Sequence, residues 1–194
     1  MKPLSITEVQ LEVRRKNLAQ RLKTFMPGVS FLRADFQSLG LYQKVIAIHE
    51  GEYKYLPYRN WRVSLRTQNV SLCYYEIWEY RKIKGKGIYY ILNKAYLHVF
   101  LLHPSQNEKD LIFLQCDPQE PESSEHYRFK VAPHVHFEIA GCPWNRAHIP
   151  LCDGWQEKVL ENITSLDKAL DRSMEFIVNQ IYSITCNYNQ NDIH

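Results

Sequence analysis

Three histidines and a glutamate form the pattern in this sequence that is most suited to chemistry. His134, His136 and Glu138 alternate with apolar residues, and His148 follows ten residues after Glu138. Alternate side chains of a β-strand share one face, with about 7 Å between successive members. Imidazole titrates near neutral pH, so it can remove a proton in one step and donate one in another. The pattern predicts acid–base chemistry at His134, His136 and His148.

The same residues allow two other interpretations. Neutral imidazole is the commonest metal ligand in proteins, so His134, His136 and Glu138 could hold a divalent metal ion, although acid–base chemistry does not require one. Zinc binding with a downstream Cys or His is one form of this hypothesis. An ordinary solvated strand face would show the same alternation.

Cationic and aromatic residues flank the histidines and would suit a nucleic acid. Upstream, cations alternate with aromatic residues, which is typical of a strand face that contacts a phosphate backbone. Downstream, an arginine could hold a phosphate with its planar, two-pronged guanidinium. The predicted substrate-binding residues are Arg146, Lys130, Arg128, Tyr127 and Trp144. The alternative is a solvent-exposed surface whose charges are incidental.

Glu76 lies in an aromatic strand pattern, on the same face as Tyr74 and Trp78. A carboxylate among aromatic rings is costly unless it is paired or used. We therefore predict that Glu76 or Glu138 orients a catalytic imidazole. The alternative is a half-exposed strand with salt bridges to nearby cations.

A largely antiparallel sheet is predicted to position these residues. A helix over residues 6–25 would begin at a capping box formed by Ser5 and Glu8 and end at Pro27 and Gly28. The spacing of apolar residues then shifts from a period of about 3.6 residues, typical of a helix, toward a period of 2 residues, typical of a strand. This predicts strands near 30–36, 43–48, 61–67, 71–83, 87–102 with an interruption at 93–94, 110–116, 126–131 and 134–140. The short connections leave no room for crossover helices, so the sheet should be an antiparallel meander.

The C-terminal part is predicted to return to helix. A functional loop over 141–152 precedes a short helix to about 163, a longer helix over 165–184, and a frayed tail over 187–194. The expected fold class is α+β in one domain, 1–194. In it, an N-terminal helix (1–27) and two C-terminal helices (153–186) pack on the sheet (28–140).

Composition excludes several classes of protein. Of the 194 residues, 45% are hydrophobic and 13% aromatic, which is too many for a disordered chain. No apolar run reaches about 18 residues, so we expect no membrane span. A formal charge of +3 permits nucleic-acid binding without requiring it. Scattered cysteines and the lack of a signal-peptide pattern predict a cytoplasmic protein with reduced thiols.

The order of motifs resembles a family of small bacterial toxins. The residues that carry the resemblance are the strand from Tyr75 to Tyr80, a tyrosine-rich strand, the segments 111–118 and 133–136, and the helix with Leu160 to Ile163. Over roughly residues 70–165 this is similar to the TumE-type toxins of toxin–antitoxin modules. The resemblance implies a ribonuclease-like toxin with an antitoxin partner and a functional histidine cluster. This chain carries about seventy further N-terminal residues and lacks the family's histidine-rich stretch.

A second resemblance is to the ubiquitin-conjugating fold. It rests on the N-terminal helix, the strand meander and the segment from His148 to Trp155. It implies that Cys152 is a thioester nucleophile.

The leading hypothesis is a toxin-like ribonuclease that cleaves RNA through a histidine-centred acid–base site. A non-enzymatic binding subunit of a defence or toxin–antitoxin complex is the main alternative. The basic N-terminal helix and the amphipathic C-terminal helix motivate it, since either could contact a partner.

Overall fold

One antiparallel sheet, with helices on one face, organises most of the described chain. The structure, a computed structural model, describes residues 4–26, 28–51, 55–65, 70–83, 85, 87–101, 109–116, 134–137, 147–150 and 162–182. Between residues 109 and 150 it describes the backbone alone. The strands are β1 Ser5–Thr7, β2 Leu32–Leu39, β3 Gln43–Glu50, β4 Val63–Leu65, β5 Val70–Ile83, β6 Gly87–Leu101, β7 Lys109–Cys116, β8 His134–Phe137 and β9 Ala147–Pro150. The helices are α1 Glu8–Lys23 and α2 Ile163–Phe176, and a π-helical segment, Ile177–Tyr182, continues α2.

Seven strands make up the main sheet. Its order is β1-β6-β5-β3-β2, with β4 alongside β5 and β7 alongside β6. All of the pairs are antiparallel, and β8 and β9 form a separate two-stranded sheet. The predicted α+β class with an antiparallel sheet, an N-terminal helix and a C-terminal helix is therefore confirmed.

α1 begins at a different cap from the predicted one. Thr7 is the N-cap: its hydroxyl accepts a hydrogen bond from the Gln10 amide at 3.3 Å, and the Gln10 side chain accepts one from the Thr7 amide at 2.9 Å. The predicted cap at Ser5 and Glu8 is wrong because residues 5–7 are extended and pair with β6 as β1.

The main sheet is buried on both faces, by different parts of the chain. The helix-covered face packs α1 and α2 against β3, β5 and β6, with Trp78, Leu92 and Leu97 near the centre of the core. On the opposite face, residues 58–61 contribute Tyr58 and Trp61, which pack with Tyr75, Ile77 and Phe100.

The predicted break at 93–94 is a β-bulge. β6 is continuous from Gly87 to Leu101, but Ile77 pairs with Lys94 and Trp78 with Leu92, so Asn93 is an extra residue. β9 was not predicted, because residues 147–150 fall within the stretch predicted to be a loop. The predicted strand at 126–131, most of the short helix at 153–163, and the tail lie outside the described residues.

α2 starts two residues earlier than predicted. The Asn162 side chain caps it by accepting a hydrogen bond from the Ser165 amide at 3.0 Å. Leu166, Leu170 and Met174 are buried on the sheet. In the described part of the chain, neither helix combines the length and apolar character needed to cross a membrane.

Candidate functional site

The small sheet of β8 and β9 brings the three predicted histidine positions together. The strands pair antiparallel, and the register sets His136 directly opposite His148. His134 lies two residues from His136 on β8, opposite Pro150. Directly opposite positions in an antiparallel pair belong to the same face, with Cβ atoms about 4.5–5.5 Å apart, and positions two apart on one strand also share a face. The backbone therefore assigns the three histidine positions to one face of this sheet.

The histidine sheet, defined as β8 with β9, lies beside the main sheet. β7 pairs with β6 at one edge of the main sheet, and β8 lies against β7. β8 therefore contacts the strand that forms this edge of the main sheet.

The other predicted residues of the histidine site lie outside the described residues. They are Glu138, Arg146, Lys130, Arg128, Tyr127 and Trp144. Cys152, the predicted thioester nucleophile, also lies outside them. Their predicted roles stay predictions from the sequence.

Glu76 lies in the core between the main sheet and the helices, with no exposed surface. Both carboxylate oxygens are 3.0 Å from Nε of Arg14, and Oε1 is also 2.6 Å from Nη2 of Arg14. The Tyr74 hydroxyl donates to Oε1 at 2.6 Å, and Trp78 Nε1 donates to Oε2 at 2.9 Å. These partners satisfy the charge, so the burial of Glu76 has a structural explanation that requires no substrate. The alternative of a half-exposed strand position is wrong.

Arg14 extends this arrangement to α2. Its Nη1 bonds to Oδ1 of Asp167, and Arg21 Nη2 lies 3.0 Å from the other Asp167 oxygen. Arg21 also bonds to Asp171. Burial by itself lowers the pKa of Arg14, but Glu76, Tyr74 and Asp167 together raise that pKa well above its usual range. Two helices and the central strand are thus joined by one set of charges, which we call the core ion network (Arg14, Arg21, Glu76, Asp167 and Asp171).

Four of the described tyrosines on β5 and β6 pack against other rings. Tyr75 stacks on Tyr96 with centroids 5.6 Å apart, and Tyr96 and His98 are 5.7 Å apart and also nearly parallel. Tyr80 and Tyr90 meet edge to face at 6.0 Å. These rings therefore pack against one another within the protein.

A buried histidine outside the predicted site has a carboxylate partner. His49 Nε2 lies 2.9 Å from Asp35 Oδ2, and the His49 ring meets Trp61 edge to face at 4.7 Å. His49 is only 1% exposed, which keeps it from direct contact with a large substrate. Sequence reasoning missed this pair because it depends on the register of β2 with β3.

Metal binding finds no support in the part of the chain whose side chains are described, where no three metal-ligating residues converge. The histidines of β8 and β9 lie outside that part. The zinc hypothesis therefore stays a prediction from the sequence.

Comparison of this chain with family models, with curated proteins and with solved structures finds no match. The resemblances to TumE-type toxins and to the ubiquitin-conjugating fold thus rest on the residues that carry them. The functional conclusion has to be drawn from the site.

Proposed function

We propose that this protein is a ribonuclease that cleaves RNA by acid–base catalysis at the histidine sheet. The observation that carries the proposal is the register of β8 with β9, in which His136 is opposite His148 and His134 is two residues along. Two imidazoles at this separation could reach opposite sides of one phosphodiester.

RNA suits such a site because it carries its own nucleophile. One histidine removes the proton of the ribose 2′-hydroxyl, and the 2′-oxygen forms a bond to phosphorus. The bond from phosphorus to the 5′-oxygen breaks, and the second histidine donates a proton to that oxygen. The products are a 2′,3′-cyclic phosphate and a 5′-hydroxyl end.

The cations predicted near the histidines fit the same reaction. Arg146 and Lys130 would stabilise the additional negative charge of the pentacoordinate phosphorane, and Arg128 would hold a neighbouring phosphate. DNA lacks the 2′-hydroxyl, so the mechanism restricts cleavage to RNA.

The test is cleavage of a short RNA in the presence of a chelator, with detection of the cyclic phosphate. The wild type should cleave. The double variant His136→Ala with His148→Ala should lose at least about a hundredfold in rate, since general acid–base groups contribute about 10²- to 10⁴-fold. His194→Ala, outside the histidine sheet, is the matched control and should cleave like the wild type.

Two results would overturn the proposal. One is a wild type that does not cleave RNA in chelator, and the other is a double variant that cleaves as fast as the control. Activity that appears only when a divalent metal is added back would favour the metal-site alternative.

The binding-subunit alternative has a weaker basis in the fold. Both helices that were expected to contact a partner bury their apolar residues within this chain. Arg14, Arg15 and Arg21 of the basic helix pair with carboxylates of the same chain. The apolar surface left on α1 is Val9 and Val13, which are 75% and 49% exposed.

Several finer expectations accompany the proposal. An antitoxin-like protein that inhibits the ribonuclease would be its partner, and the cytoplasm would be its location. The second C-terminal helix, over 153–163, belongs to the same proposal, because it would connect the histidine sheet to α2.

A further inference from the structure

We infer that a second copy of this chain pairs with the outer edge of β2, so that two main sheets join into one continuous sheet. β2 is the last strand of the main sheet on the side away from β7, and no strand in the described part of the chain pairs with its outer side. Such an edge presents N–H and C=O groups to which another strand can bond. The occupant is β2 of the second copy, running antiparallel, with the Ala34 residues of both copies at the two-fold axis.

β2 lacks the features that usually block an exposed edge. Its eight residues pair with β3 without a bulge, and they include no proline, glycine or lysine. Short length, bulges, prolines and lysines are the usual means by which proteins prevent edge pairing. The backbone of β2 is therefore regular enough to accept a further strand along its whole length.

The alternation of backbone groups determines which residues of β2 point outward. The Tyr80 amide donates to the Tyr42 carbonyl at 2.7 Å, so every second residue from Tyr42 along β3 points its backbone groups toward β5, and the residues between them point toward β2. The register of β2 with β3 then directs the backbone groups of Ala34 away from the sheet. The hydrogen bond from Arg15 Nη1 to the Ala34 carbonyl, at 3.0 Å, agrees with this direction. That carbonyl has a second lone pair for the N–H of a partner.

Charge selects one register for the pairing of β2 with itself. When the two Ala34 residues face each other, Arg33 of each copy faces Asp35 of the other. These residues would not form the hydrogen-bonded pairs, so their Cα atoms would be only about 4.5 Å apart. A shift of the two-fold axis by one residue would instead place Arg33 opposite Arg33, or Asp35 opposite Asp35. Like charges directly opposite each other are destabilising.

Both charges can take part in such a pair. Arg33 is exposed, and among the described residues no carboxylate pairs with it. Asp35 bonds to His49 at 2.9 Å and lies 3.5 Å from Arg15 Nη1, but its side chain is still 30% exposed. A carboxylate offers about four lone-pair sites, so Asp35 can accept a further donor.

The same register covers exposed apolar surface. Phe31, directly before β2, is 68% exposed, and it would face Gln37 of the second copy. The Gln37 amide donates to the carbonyl of Leu56 at 3.2 Å, and Leu56 is itself 42% exposed. Phe31 of one copy and Leu56 of the other would thus lie near each other on both sides of the axis, and removal of apolar surface from water favours association.

A dimer through β2 does not involve the histidine sheet. β8 lies against β7, at the other edge of the main sheet. The inference is therefore independent of the proposed ribonuclease activity, and either can fail without the other.

Sedimentation velocity at increasing protein concentration tests the association. The wild type should form dimers. Arg33→Asp places like charges opposite each other twice, so it should weaken dimerisation about tenfold or more. Lys168→Asp makes the same change of charge at an exposed position on α2 and should dimerise like the wild type. The inference is overturned by a wild type that stays monomeric, or by an Arg33→Asp variant that dimerises as well as the control.

A charge swap tests the register. Asp35→Arg alone should be as poorly dimeric as Arg33→Asp alone, whereas a mixture of the two restores opposite charges in both pairs and should form a heterodimer. A mixture of folded variants that stays monomeric would show that the register is wrong. Circular dichroism checks the fold of both variants, since Asp35 is the partner of His49.

Amide hydrogen exchange gives a readout that leaves Asp35 in place. The outward amides of Leu32, Ala34 and Phe36 should exchange more slowly as the wild-type concentration rises, because they become bonded to the second copy. The same amides of Arg33→Asp should show a much smaller effect. Exchange at these amides that does not depend on the concentration of the wild type would place any dimer contact elsewhere and overturn the inference.

Discussion

At the scale of single residues, Glu76 shows that a carboxylate in an aromatic strand pattern can have a purely structural explanation. An ionised carboxylate among aromatic rings is costly to bury. Arg14, Tyr74 and Trp78 supply every hydrogen bond that the described structure gives it. Two partners come from its own strand, and Arg14 comes from α1, sixty-two residues away in sequence. The aromatic pattern of β5 therefore could not identify Arg14 as the cation that pairs with Glu76.

We predict that Glu76→Ala lowers the free energy of unfolding by about 3–5 kcal/mol, because it leaves the Arg14 charge buried without its main partner. Urea denaturation measures this. Glu79→Ala on the same strand is the control: its partnership with Arg81 is more exposed, so the change should be about 0–1 kcal/mol.

Replacing both partners gives the contrasting prediction. Glu76→Leu with Arg14→Met should be more stable than Glu76→Ala, because both fully buried charges are removed and Asp167 keeps its ion pair with Arg21. RNA cleavage by this double variant should match the wild type. A stable double variant without activity would instead indicate that Glu76 takes part in catalysis.

At the scale of elements, substitutions at the beginning of α1 can distinguish the predicted cap at Ser5 from the observed cap at Thr7. Because the Thr7 hydroxyl accepts from the Gln10 amide, Thr7→Ala should reduce the free energy of unfolding by about 1 kcal/mol. Thr7→Ser should be close to the wild type. Ser5→Ala should have little effect, and a larger loss there than at Thr7 would contradict the observed cap.

α1 is also an integral part of the core. It contributes Leu11, Leu18 and Leu22, which are essentially unexposed, and it supplies Arg14 to Glu76. We therefore expect removal of residues 1–27 to abolish cooperative unfolding, as followed by circular dichroism during heating. A truncated protein that unfolds cooperatively at the wild-type temperature would show that the core ion network is dispensable.

At the scale of the whole molecule, the sequence predicts elements better than it predicts their partners. Apolar patterns identified β2, β3, β5, β6 and β7 within a few residues. In β3, β5 and β6, side chains on both strand faces are buried. The same alternation indicated the position of the bulge at Asn93. Pairings that depend on distant residues, such as Arg14 with Glu76 or Asp35 with His49, leave no local pattern.

The candidate site was predictable in the same partial way. The alternation of His134 and His136 placed both on one strand face. It could not identify β9, a four-residue strand in which His148 and Pro150 lie opposite the histidines of β8. The pairing of His136 with His148 depends on where the chain returns after residue 137. That return is a property of the fold and not of the motif.

The central claim is that His136 and His148 act on the same phosphodiester as acid and base. It is tested most directly by the dependence of the RNA cleavage rate on pH. The wild type should give a bell-shaped profile centred near neutral pH, as expected for one imidazole that must be neutral and one that must be protonated. His136→Ala and His148→Ala should each be slower and should lose opposite limbs of the bell. Two variants that retain both limbs, or that lose the same one, would contradict the account.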